Sequence, residues 1–588
     1  MAMGVSMREC RNRRSRISSA PAPRASIEGL ETRTLLSTYT VTNTNDSGAG
    51  SLRQAILDAN RHAGADTIRF AIGSGARTIS PRSALPGVMD TTTLDATSQP
   101  GYPGKPLIEL NGSNVLSGAG LIVYGANSAV RGLVINRFGG NGIMLMSRTG
   151  YASGGITIAN NYLGTNATGT AAAGNKAHGI LVQCAGNTIA NNVISGNGKA
   201  GVFLYTAKSN RNKVVGNLIG TNAAGTAAVP NVTNGVHFQS SHTNTIGGTT
   251  SAERNVISGN KQDGVVIAGS GAAGNTVLGN YIGTNGAGSA KLGNGLYGVE
   301  VSQYNNTIGG ADPGARNVIS GNAKSGVALY QVSSYGNKVL GNYIGTDSTG
   351  TRDLGNAGRG VDFTTGAKNN LLGGTAAAAR NVISGNDAGG VGVYNGSAFN
   401  LVQGNYIGVA ASGSSALGNG GAGVSVSNSG PNTIGGATAG SGNVISANTQ
   451  GIALAAGTGP VTIQGNKIGT NAAGTADLGN ATDGIYVGSS YATIGGSTSA
   501  AGNVIGGNNG DGIRIYKASN IKIERNWIGT DLLSLRDLGN DKCGIVIIGG
   551  SSNTIRYNTV CHSGAQGIYL MMGSGNTITA NTLLANAA

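Results

Sequence analysis

A sixteen-residue sequence motif recurs along most of this chain and restricts the folds that the chain can adopt. Copies begin at Gly216, Gly279, Gly341 and Gly465, and the spacing of the phrase is 60 to 63 residues. A sequence that repeats at such a period cannot bury the apolar face of one unit alone, but it can bury that face by stacking the units. The repeat therefore predicts a solenoid.

The structural unit is half of this long repeat. A glycine followed by an aliphatic residue opens a short strand with alternating polarity at positions 179, 201, 235, 264, 298, 326, 360, 390, 423, 451, 484, 512, 544 and 567. The steps between these glycines are 22 to 34 residues, so one coil has about 30 residues, and the longer coils carry inserted loops.

Each coil holds three strand-like pieces, as in residues 264–267, 275–280 and 280–284, with Gly and Asn between them. Both residue types tolerate a positive φ and suit tight turns. Within a piece such as 264–267 the residues alternate, so one face meets the interior and the other meets solvent. We predict an all-β protein, a parallel β-helix of about 15 coils.

Asparagines recur at fixed places in this pattern, and stacked amides can satisfy one another's donors and acceptors. We interpret them as structural ladders at two different corners of the coil. One series is Asn217, Asn280, Asn342, Asn405, Asn466 and Asn526, and the other is Asn255, Asn317, Asn381, Asn443 and Asn503.

Composition excludes several classes of protein. The 104 glycines show no three-residue period, which excludes collagen, and 39% hydrophobic residues argue against disorder. The net charge is +15 without a Lys and Arg run interleaved with aromatics, so we predict no nucleic-acid partner, while weak attraction to acidic polysaccharide stays open. The four cysteines form no metal or disulfide pattern, and no run of 18 apolar residues suggests a membrane span. We predict no metal and no cofactor.

Three parts of the sequence resemble known families. The coils of residues 125–588 resemble the repeats of the pectate-lyase-like superfold, which implies a right-handed β-helix. The letters SLRQAI at 51–56 resemble the N-terminal domain named for its CSLREAI motif, with Gly50 where that family has Cys. The stretch IEGLETRTLLS at 27–37 resembles the LEPR-x-LLS surface signature of planctomycete extracellular proteins. The resemblance implies export, and an extracellular or cell-surface location.

These features predict three regions: a basic, flexible targeting segment at 1–37, an N-terminal cap with the first coils at 38–125, and β-helix repeats at 126–588. A short helix is predicted from Ser51 to Asn60, with Ser51 and Gln54 forming a capping box. Such a helix can cover the open N-terminal end of the solenoid, where strand edges are unpaired.

Candidate site residues come from the outward positions two and four residues after each repeated glycine. Glu300 and Asp362 are two coils apart, about 9.6 Å, which is close to the carboxyl separation of inverting glycosidases. The alternative is that these residues are only the polar surface of a solvated sheet. The candidates are the catalytic-type residues His237, Glu300 and Asp362 and the ligand-binding-type residues Tyr205, Gln239, Tyr330 and Tyr394.

A second aromatic series follows the corner asparagines. Aromatic rings two coils apart can serve as platforms for sugar rings, or they can pack under the neighbouring inserted loops, and the sequence leaves both open. The series is Tyr162, Tyr281, Tyr343, Tyr406 and Trp527, with Leu218 and Lys467 at the same position.

Two hypotheses of function follow. The first is a non-catalytic exported surface protein, a rigid β-helix for adhesion, envelope structure or glycan binding, with polysaccharide or cell-envelope glycan as its partner. The alternative is a polysaccharide lyase or glycoside hydrolase, because one fold hosts many functions. The ligand and the oligomeric state stay open.

Overall fold

The protein is described by a computed structural model that covers residues 36–150 and 152–587. The predicted targeting segment, residues 1–37, lies outside the described residues except for its last two, and it stays a prediction. The boundary at 125 and 126 also stays a prediction. Over the described part of the chain, 53 strands form three sheets in which neighbouring strands pair in parallel. The predicted all-β, right-handed parallel β-helix is confirmed.

The first sheet has 19 strands in the described residues. They are Thr38–Val41, Asp66–Phe70, Thr92–Asp95, Ala129–Arg131, Thr157–Ala159, Thr188–Ala190, Lys213–Val215, Thr245–Gly247, Thr276–Leu278, Thr307–Gly309, Lys338–Leu340, Leu371–Gly373, Leu401–Gln403, Asn432–Gly435, Val461–Gln464, Thr493–Gly495, Lys522–Glu524, Thr554–Arg556 and Thr577–Thr579.

The second sheet follows the first within each coil and consists of shorter strands. They are Arg77–Ile79, Ile108–Asn111, Leu133–Asn136, Tyr162–Leu163, Val193–Ile194, Leu218–Ile219, Val256–Ile257, Tyr281–Ile282, Val318–Ile319, Tyr343–Ile344, Val382–Ile383, Tyr406–Ile407, Val444–Ile445, Lys467–Ile468, Val504–Ile505, Trp527–Ile528, Thr559–Cys561 and Thr582–Leu584.

The third sheet contains the strands that the repeated glycines open. Its 16 strands in the described residues agree with the expected number of about 15 coils. They are Leu121–Val123, Ile143–Leu145, Ile180–Val182, Val202–Tyr205, Val236–Gln239, Val265–Ala268, Val299–Val301, Val327–Tyr330, Arg359–Thr364, Gly389–Val393, Ala422–Val426, Gln450–Leu454, Ile485–Val487, Ile513–Tyr516, Ile545–Ile548 and Ile568–Met572.

One α-helix, Leu52–Ala59, packs its buried face against the first strands of the first sheet. Ser51 caps it, since the Ser51 hydroxyl accepts a hydrogen bond from Gln54 N at 3.2 Å. The predicted capping box is wrong in its second half, because the Gln54 side chain donates to Asp58 Oδ1 instead. The described residues also contain five short 3-10 helices: Ala96–Ser98, Ser251–Glu253, Pro313–Ala315, Ala377–Ala379 and Ser499–Ala501.

The interior is an apolar column bordered by asparagine ladders at the corners. Asn280 shows the pattern: its Nδ2 donates to Asn317 Oδ1 at 3.1 Å and to Ile246 O at 3.0 Å. Similar ladders occupy the other two corners, as in Asn231 to Asn260 and in the pair Asn275 and Asn306. Each amide satisfies buried polar groups of the preceding and the following coil, so the register between coils is fixed without charged side chains.

The two asparagine series of the sequence form one ladder rather than two corners, which corrects the prediction. Asn255 Nδ2 donates to Asn280 Oδ1 at 2.8 Å, and Asn280 in turn donates to Asn317. The reason is that every other coil carries an inserted loop just before its asparagine. The loop changes the local sequence but leaves the asparagine at the same corner.

Inserted loops cover the outer face of the second sheet. The first type follows a second-sheet strand, as in residues 284–291, and closes with an isolated antiparallel bridge between Thr284 and Lys291. Loops of this type on alternate coils contact one another directly: Gly286 N donates to Gly225 O at 2.8 Å, and Ser348 N donates to Gly288 O at 2.9 Å. The second sheet therefore lies under a layer of loops.

Candidate functional site

The outward columns of the third sheet run in register, as the sequence predicts. His237 pairs with Val266, which pairs with Glu300, and Glu300 pairs through Ala328 with Asp362. Consecutive strands lie about 4.8 Å apart, so the backbones of Glu300 and Asp362 are about 9.6 Å apart.

A third column lies on the same face and consists of the residues that precede the repeated glycines. Asp263 Oδ1 accepts a hydrogen bond from Tyr297 N at 2.9 Å. Ser325, one coil after Tyr297, donates its hydroxyl to Asp362 Oδ2. Arg359, one coil further, lies with its Nη1 3.7 Å from Asp362 Oδ1. These residues bring charge to the strands that carry Glu300 and Asp362.

The resulting group of Asp263, Tyr297, Glu300, Tyr330 and Asp362 is called the acidic patch. Burial raises the pKa of the Tyr297 hydroxyl, and the nearby charges of Asp362, Glu300 and Asp263 raise it further. Lys324 Nζ lies over the Tyr297 ring, 5.1 Å from its centroid. Tyr330 is 36% exposed and borders the patch on the solvent side.

Asp263 has the most unusual carboxyl of the acidic patch. Burial raises its pKa from 3.8 to about 6, while the hydrogen bond from Tyr297 N acts in the opposite direction and Glu300 raises it further. Burial also raises the pKa of Glu300, and the Ser302 hydroxyl, at 3.1 Å from Glu300 Oε1, partly compensates. Carboxyl groups with such pKa values concentrate at functional sites.

Asp362, in contrast, is enclosed. Its side chain is buried, the Ser325 hydroxyl donates to it, and the Arg359 guanidinium lies beside it. Burial raises its pKa despite these partners. Gly392 leaves the space that Asp362 and Tyr394 fill, since a Cβ at Gly392 would lie 2.7 Å from Asp362 Oδ1. The Asp362 carboxyl is therefore a buried part of the acidic patch, held in place by Ser325 and Arg359.

Tyr394 is a neighbour of Asp362 rather than an open platform. Its ring is half-buried, and the Arg359 guanidinium carbon lies 5.4 Å from the ring centroid. Burial raises the pKa of its hydroxyl, and the Asp362 charge raises it further. Its hydroxyl is therefore protonated at every physiological pH.

His237 and Tyr205 belong to a separate group, the aromatic patch, formed by His178, Phe203, Tyr205 and His237. Phe203 stacks on His178 at 4.5 Å and on Tyr205 at 5.4 Å, and it meets the His237 ring at 5.0 Å. Burial lowers the pKa of His178 to about 4 and also lowers that of His237. Both imidazoles are therefore neutral near pH 7, and Tyr205 is 42% exposed.

The predicted site residues thus separate into two groups. Gln239 lies beside Tyr205 in the next strand, and the strand Val265–Ala268 then presents only Val266 and Ala268 before the acidic patch begins. Tyr205 and Tyr330 are four strands apart, and Ala268 lies at the corresponding outward position of the strand midway between them.

Sequence reasoning missed Asp263, Tyr297, Ser325 and Arg359. The repeated glycine breaks the alternation of the strand, so the residue before it faces outward, although simple alternation places it inward. Reading the column of residues that precede each glycine finds all four. The same column also holds Asp483 further along.

The aromatic series on the second sheet packs under the loops in its central part. Tyr281 and Tyr343 are buried, and each is covered by an arginine from the preceding coil. Of the two readings that the sequence left open, packing under the loops holds for these two rings. They offer no platform to a sugar.

Neither a metal site nor a membrane span emerges from the described residues. No group of three or more His, Cys, Asp or Glu side chains in that part of the chain could hold a metal ion. No helix there is both long enough and apolar enough to cross a membrane.

Comparisons with known proteins concern the fold. The chain matches the family described as the right-handed β-helix region over residues 107–308 and 476–588, more than half of its length. A search of curated proteins gave no match.

Solved structures with a similar chain path are distant. The Dettilon tailspike protein gp208 is 13% identical, with 72% of this chain and 68% of that chain covered and a TM-score of 0.33. The periplasmic alginate epimerase AlgG is 11% identical, with 79% and 77% covered and a TM-score of 0.26. The A-module of the Azotobacter vinelandii mannuronan C-5 epimerase AlgE4 is 14% identical, with 92% and 100% covered and a TM-score of 0.25.

Proposed function

This chain belongs to the right-handed β-helix family, and we propose that it is a non-catalytic glycan-binding protein whose acidic patch takes a hydroxyl-rich sugar unit. The observation that carries the proposal is the convergence of Asp263, Glu300 and Asp362 on Tyr297, beside the exposed ring of Tyr330. The cell surface is the proposed location, supported by the resemblance of residues 27–37 to a surface signature.

The chemistry of the patch suits sugar hydroxyls. Glu300 is half-buried and forms no ion pair with a described residue, so its carboxylate is able to accept hydrogen bonds from a ligand. Asp263 is buried beside it and accepts a hydrogen bond from Tyr297 N. Carboxylate acceptors make stronger hydrogen bonds than neutral ones. Tyr330 adds an apolar ring face and a hydroxyl, which together match the two kinds of surface on a sugar ring.

The fold keeps this arrangement rigid. Glu300 lies on a strand paired on both sides, and Asp263 is held by the backbone of the next coil through Tyr297 N. A preorganised face loses little entropy when a ligand binds. Polysaccharide chains are long, and a solenoid offers a long face to them.

The binding proposal is tested on a panel of neutral oligosaccharides by isothermal titration calorimetry. The double variant Glu300→Gln with Tyr330→Ala removes one strong acceptor and one ring, and we expect it to weaken binding at least about tenfold. Tyr516→Ala is the matched control, because Tyr516 is 40% exposed on the same sheet far from the acidic patch. Unchanged affinity in the double variant would place the ligand elsewhere.

A second candidate function is cleavage of a polysaccharide. The observation that favours it is the pKa of Asp263, about 6, next to Glu300, because a carboxyl that titrates near neutral pH can serve as a general acid. The predicted pair of Glu300 and Asp362 fits less well, since Asp362 is enclosed by Ser325 and Arg359. Release of reducing ends from a polysaccharide panel, abolished in Asp263→Asn, would favour the enzyme over the binding protein.

A further inference from the structure

On the outer face of the second sheet, an arginine covers the tyrosine of the following coil at three successive places. Each arginine ends a 3-10 turn and also donates its Nε to the backbone of the covered coil, as Arg380 does to Gly404 O at 3.2 Å. The guanidinium carbons lie 4.1 to 4.3 Å from the ring centroids. The pairs are Arg254 with Tyr281, Arg316 with Tyr343, and Arg380 with Tyr406.

This series stops after Arg380. Lys467 takes the place of the next tyrosine, and Trp527 takes the place after that, as their pairing with Val444 and Val504 shows. The residues two before these valines, where the arginines stood, are Gly442 and Gly502. Both the covering cation and the tyrosine are therefore replaced in these two coils.

Two adjoining cavities occupy the uncovered stretch. The first, about 340 Å³, is lined by Arg380, Tyr406 and Lys467. The second, about 410 Å³, lies between Lys467 and Trp527. Gly465, Lys467 and Ala500 line both, so the cavities meet at Lys467. Sites of roughly 300 to 1,000 Å³ accommodate small ligands.

Neither cation at this place pairs with a carboxylate among the described residues. Lys467 is half-buried, and its ammonium group makes no ion pair or hydrogen bond with the described residues. Arg380 uses its guanidinium on the Tyr406 ring and on Gly404 O, without a described carboxylate. Burial lowers the pKa of Lys467, and the Arg380 charge lowers it further. Two neighbouring cations repel each other, and an anion between them would turn that repulsion into two attractive contacts.

We propose that these cavities bind an acidic sugar unit, carboxylated or sulfated, with its anionic group between Lys467 and Arg380 and its ring against Trp527. The guanidinium and the ammonium supply the donors that a carboxylate or a sulfate needs. The indole supplies the apolar face on which a sugar ring packs. The site lies on the second sheet and does not rest on the function proposed for the acidic patch, which is on the third.

The test is calorimetry of the full chain with three probes: tetragalacturonate, a sulfated galactan tetrasaccharide and uncharged galactotetraose. We expect at least one of the two anionic probes to bind, with affinity falling as salt is added, and the uncharged probe to bind much more weakly. Which anionic probe binds more tightly distinguishes a carboxylate from a sulfate.

Variants then locate the site. Lys467→Gln is expected to weaken binding about tenfold or more, because it removes one of two charge-assisted contacts. Ala500→Trp keeps both cations and fills the recess from an exposed position, so it is expected to abolish binding. Lys522→Gln is the matched control, since it removes the same charge from an exposed residue of the first sheet.

The outcomes separate cleanly. Loss of binding in Lys467→Gln and Ala500→Trp, with normal binding in Lys522→Gln and in the acidic-patch double variant, supports the proposal. Absence of binding of both anionic probes to the wild-type protein, or wild-type affinity in folded Lys467→Gln, overturns it. Thermal melting followed by circular dichroism confirms that each variant is folded.

Discussion

Gly392 lies directly across from Asp362 in the neighbouring strand, and a Cβ at Gly392 would stand 2.7 Å from Asp362 Oδ1. The same Cβ would come within 3.0 Å of the Tyr394 ring. The Asp362 carboxyl thus occupies space that a side chain at residue 392 would need. This close approach leads to a first prediction.

Gly392→Ala is expected to lower the free energy of unfolding by about 1 to 3 kcal/mol, because Asp362 and Tyr394 must move in a packed region. Urea denaturation measures it. Gly286→Ala is the control, since the atom nearest to a Cβ there is 3.6 Å away, at ordinary contact distance. Equal loss in both variants would show that the close approach to Asp362 is unimportant.

Asn342→Ala removes one step of a buried ladder. Asn342 Nδ2 donates to Ile308 O and to Asn381 Oδ1, and its side chain also accepts from Asn317. Since several buried groups lose their partners, we expect a destabilisation of about 2 to 4 kcal/mol in chemical denaturation. Asn509→Ala, at an exposed position, is expected to change stability little.

The stability of the protein is expected to fall as pH rises through about 6, owing to Asp263. The pKa of Asp263 is 3.8 ordinarily and about 6 in the folded protein, so the folded state binds the proton more tightly than the unfolded state does. The resulting contribution to stability is fully present below pH 3.8 and is lost as the pH rises through about 6. The expected loss between pH 5 and pH 7.5 is about 1.4 kcal/mol from this group. Glu300, whose pKa is also raised, adds to it with the same sign.

Urea denaturation at the two pH values measures this loss. Asp263→Asn is expected to reduce this pH-dependent loss, because an amide does not ionise. The variant keeps the hydrogen bond, since the amide oxygen can accept from Tyr297 N, as the Asn234 amide oxygen accepts from Asp263 N one coil earlier. Asp541→Asn, on the exposed surface, is the control. A pH dependence that is the same in wild type and Asp263→Asn would refute the assignment.

The stacked pair of Arg316 and Tyr343 is expected to contribute about 1 kcal/mol, because the guanidinium carbon lies 4.1 Å from the centroid of a buried ring. A double-mutant cycle with Arg316→Met and Tyr343→Leu measures the coupling in thermal melts. A coupling energy near zero would mean that Arg316 acts only through its bond to Gly341 O.

Ser51→Ala is expected to destabilise the N-terminal helix by about 1 kcal/mol, since it removes the cap of Gln54 N. Gln54→Ala is expected to cost less, because the Gln54 side chain bonds to Asp58 within the helix and leaves the cap intact. Thermal melting of both variants compares them. A larger loss of stability in Gln54→Ala than in Ser51→Ala would indicate that the Gln54 side chain takes part in the cap, contrary to the structure.

The fold was predictable because the sequence repeat has the same period as the coils of the solenoid. Each repeated glycine opens a strand of the third sheet, and alternation places residues such as Val265 and Ile267 inside. The asparagine ladder was recognised for its chemistry, but its two series were assigned to separate corners. A loop inserted on every other coil makes Asn255 and Asn280 look different in sequence although they are neighbours in space.

The candidate site was only partly predictable. Glu300 and Asp362 were found because they lie on regular strands, where alternation decides the direction of a side chain. Asp263 and Tyr297 were missed because they precede a glycine, at a point where the strand departs from alternation. Of the partners that enclose Asp362, Ser325 comes from another coil, at a sequence distance that a single strand pattern does not record, and Arg359 precedes a glycine of the same strand.

The loops that bridge alternate coils, such as Gly286 N to Gly225 O across 61 residues, also restrict which coils can be removed from or added to the solenoid without loss of hydrogen bonds. Removing one coil would bring a loop-bearing coil against another of its own type and leave the bridging amides without acceptors. Removing or duplicating two coils preserves every bridge. A change of length that keeps the bridges therefore adds or removes a pair of coils, about sixty residues.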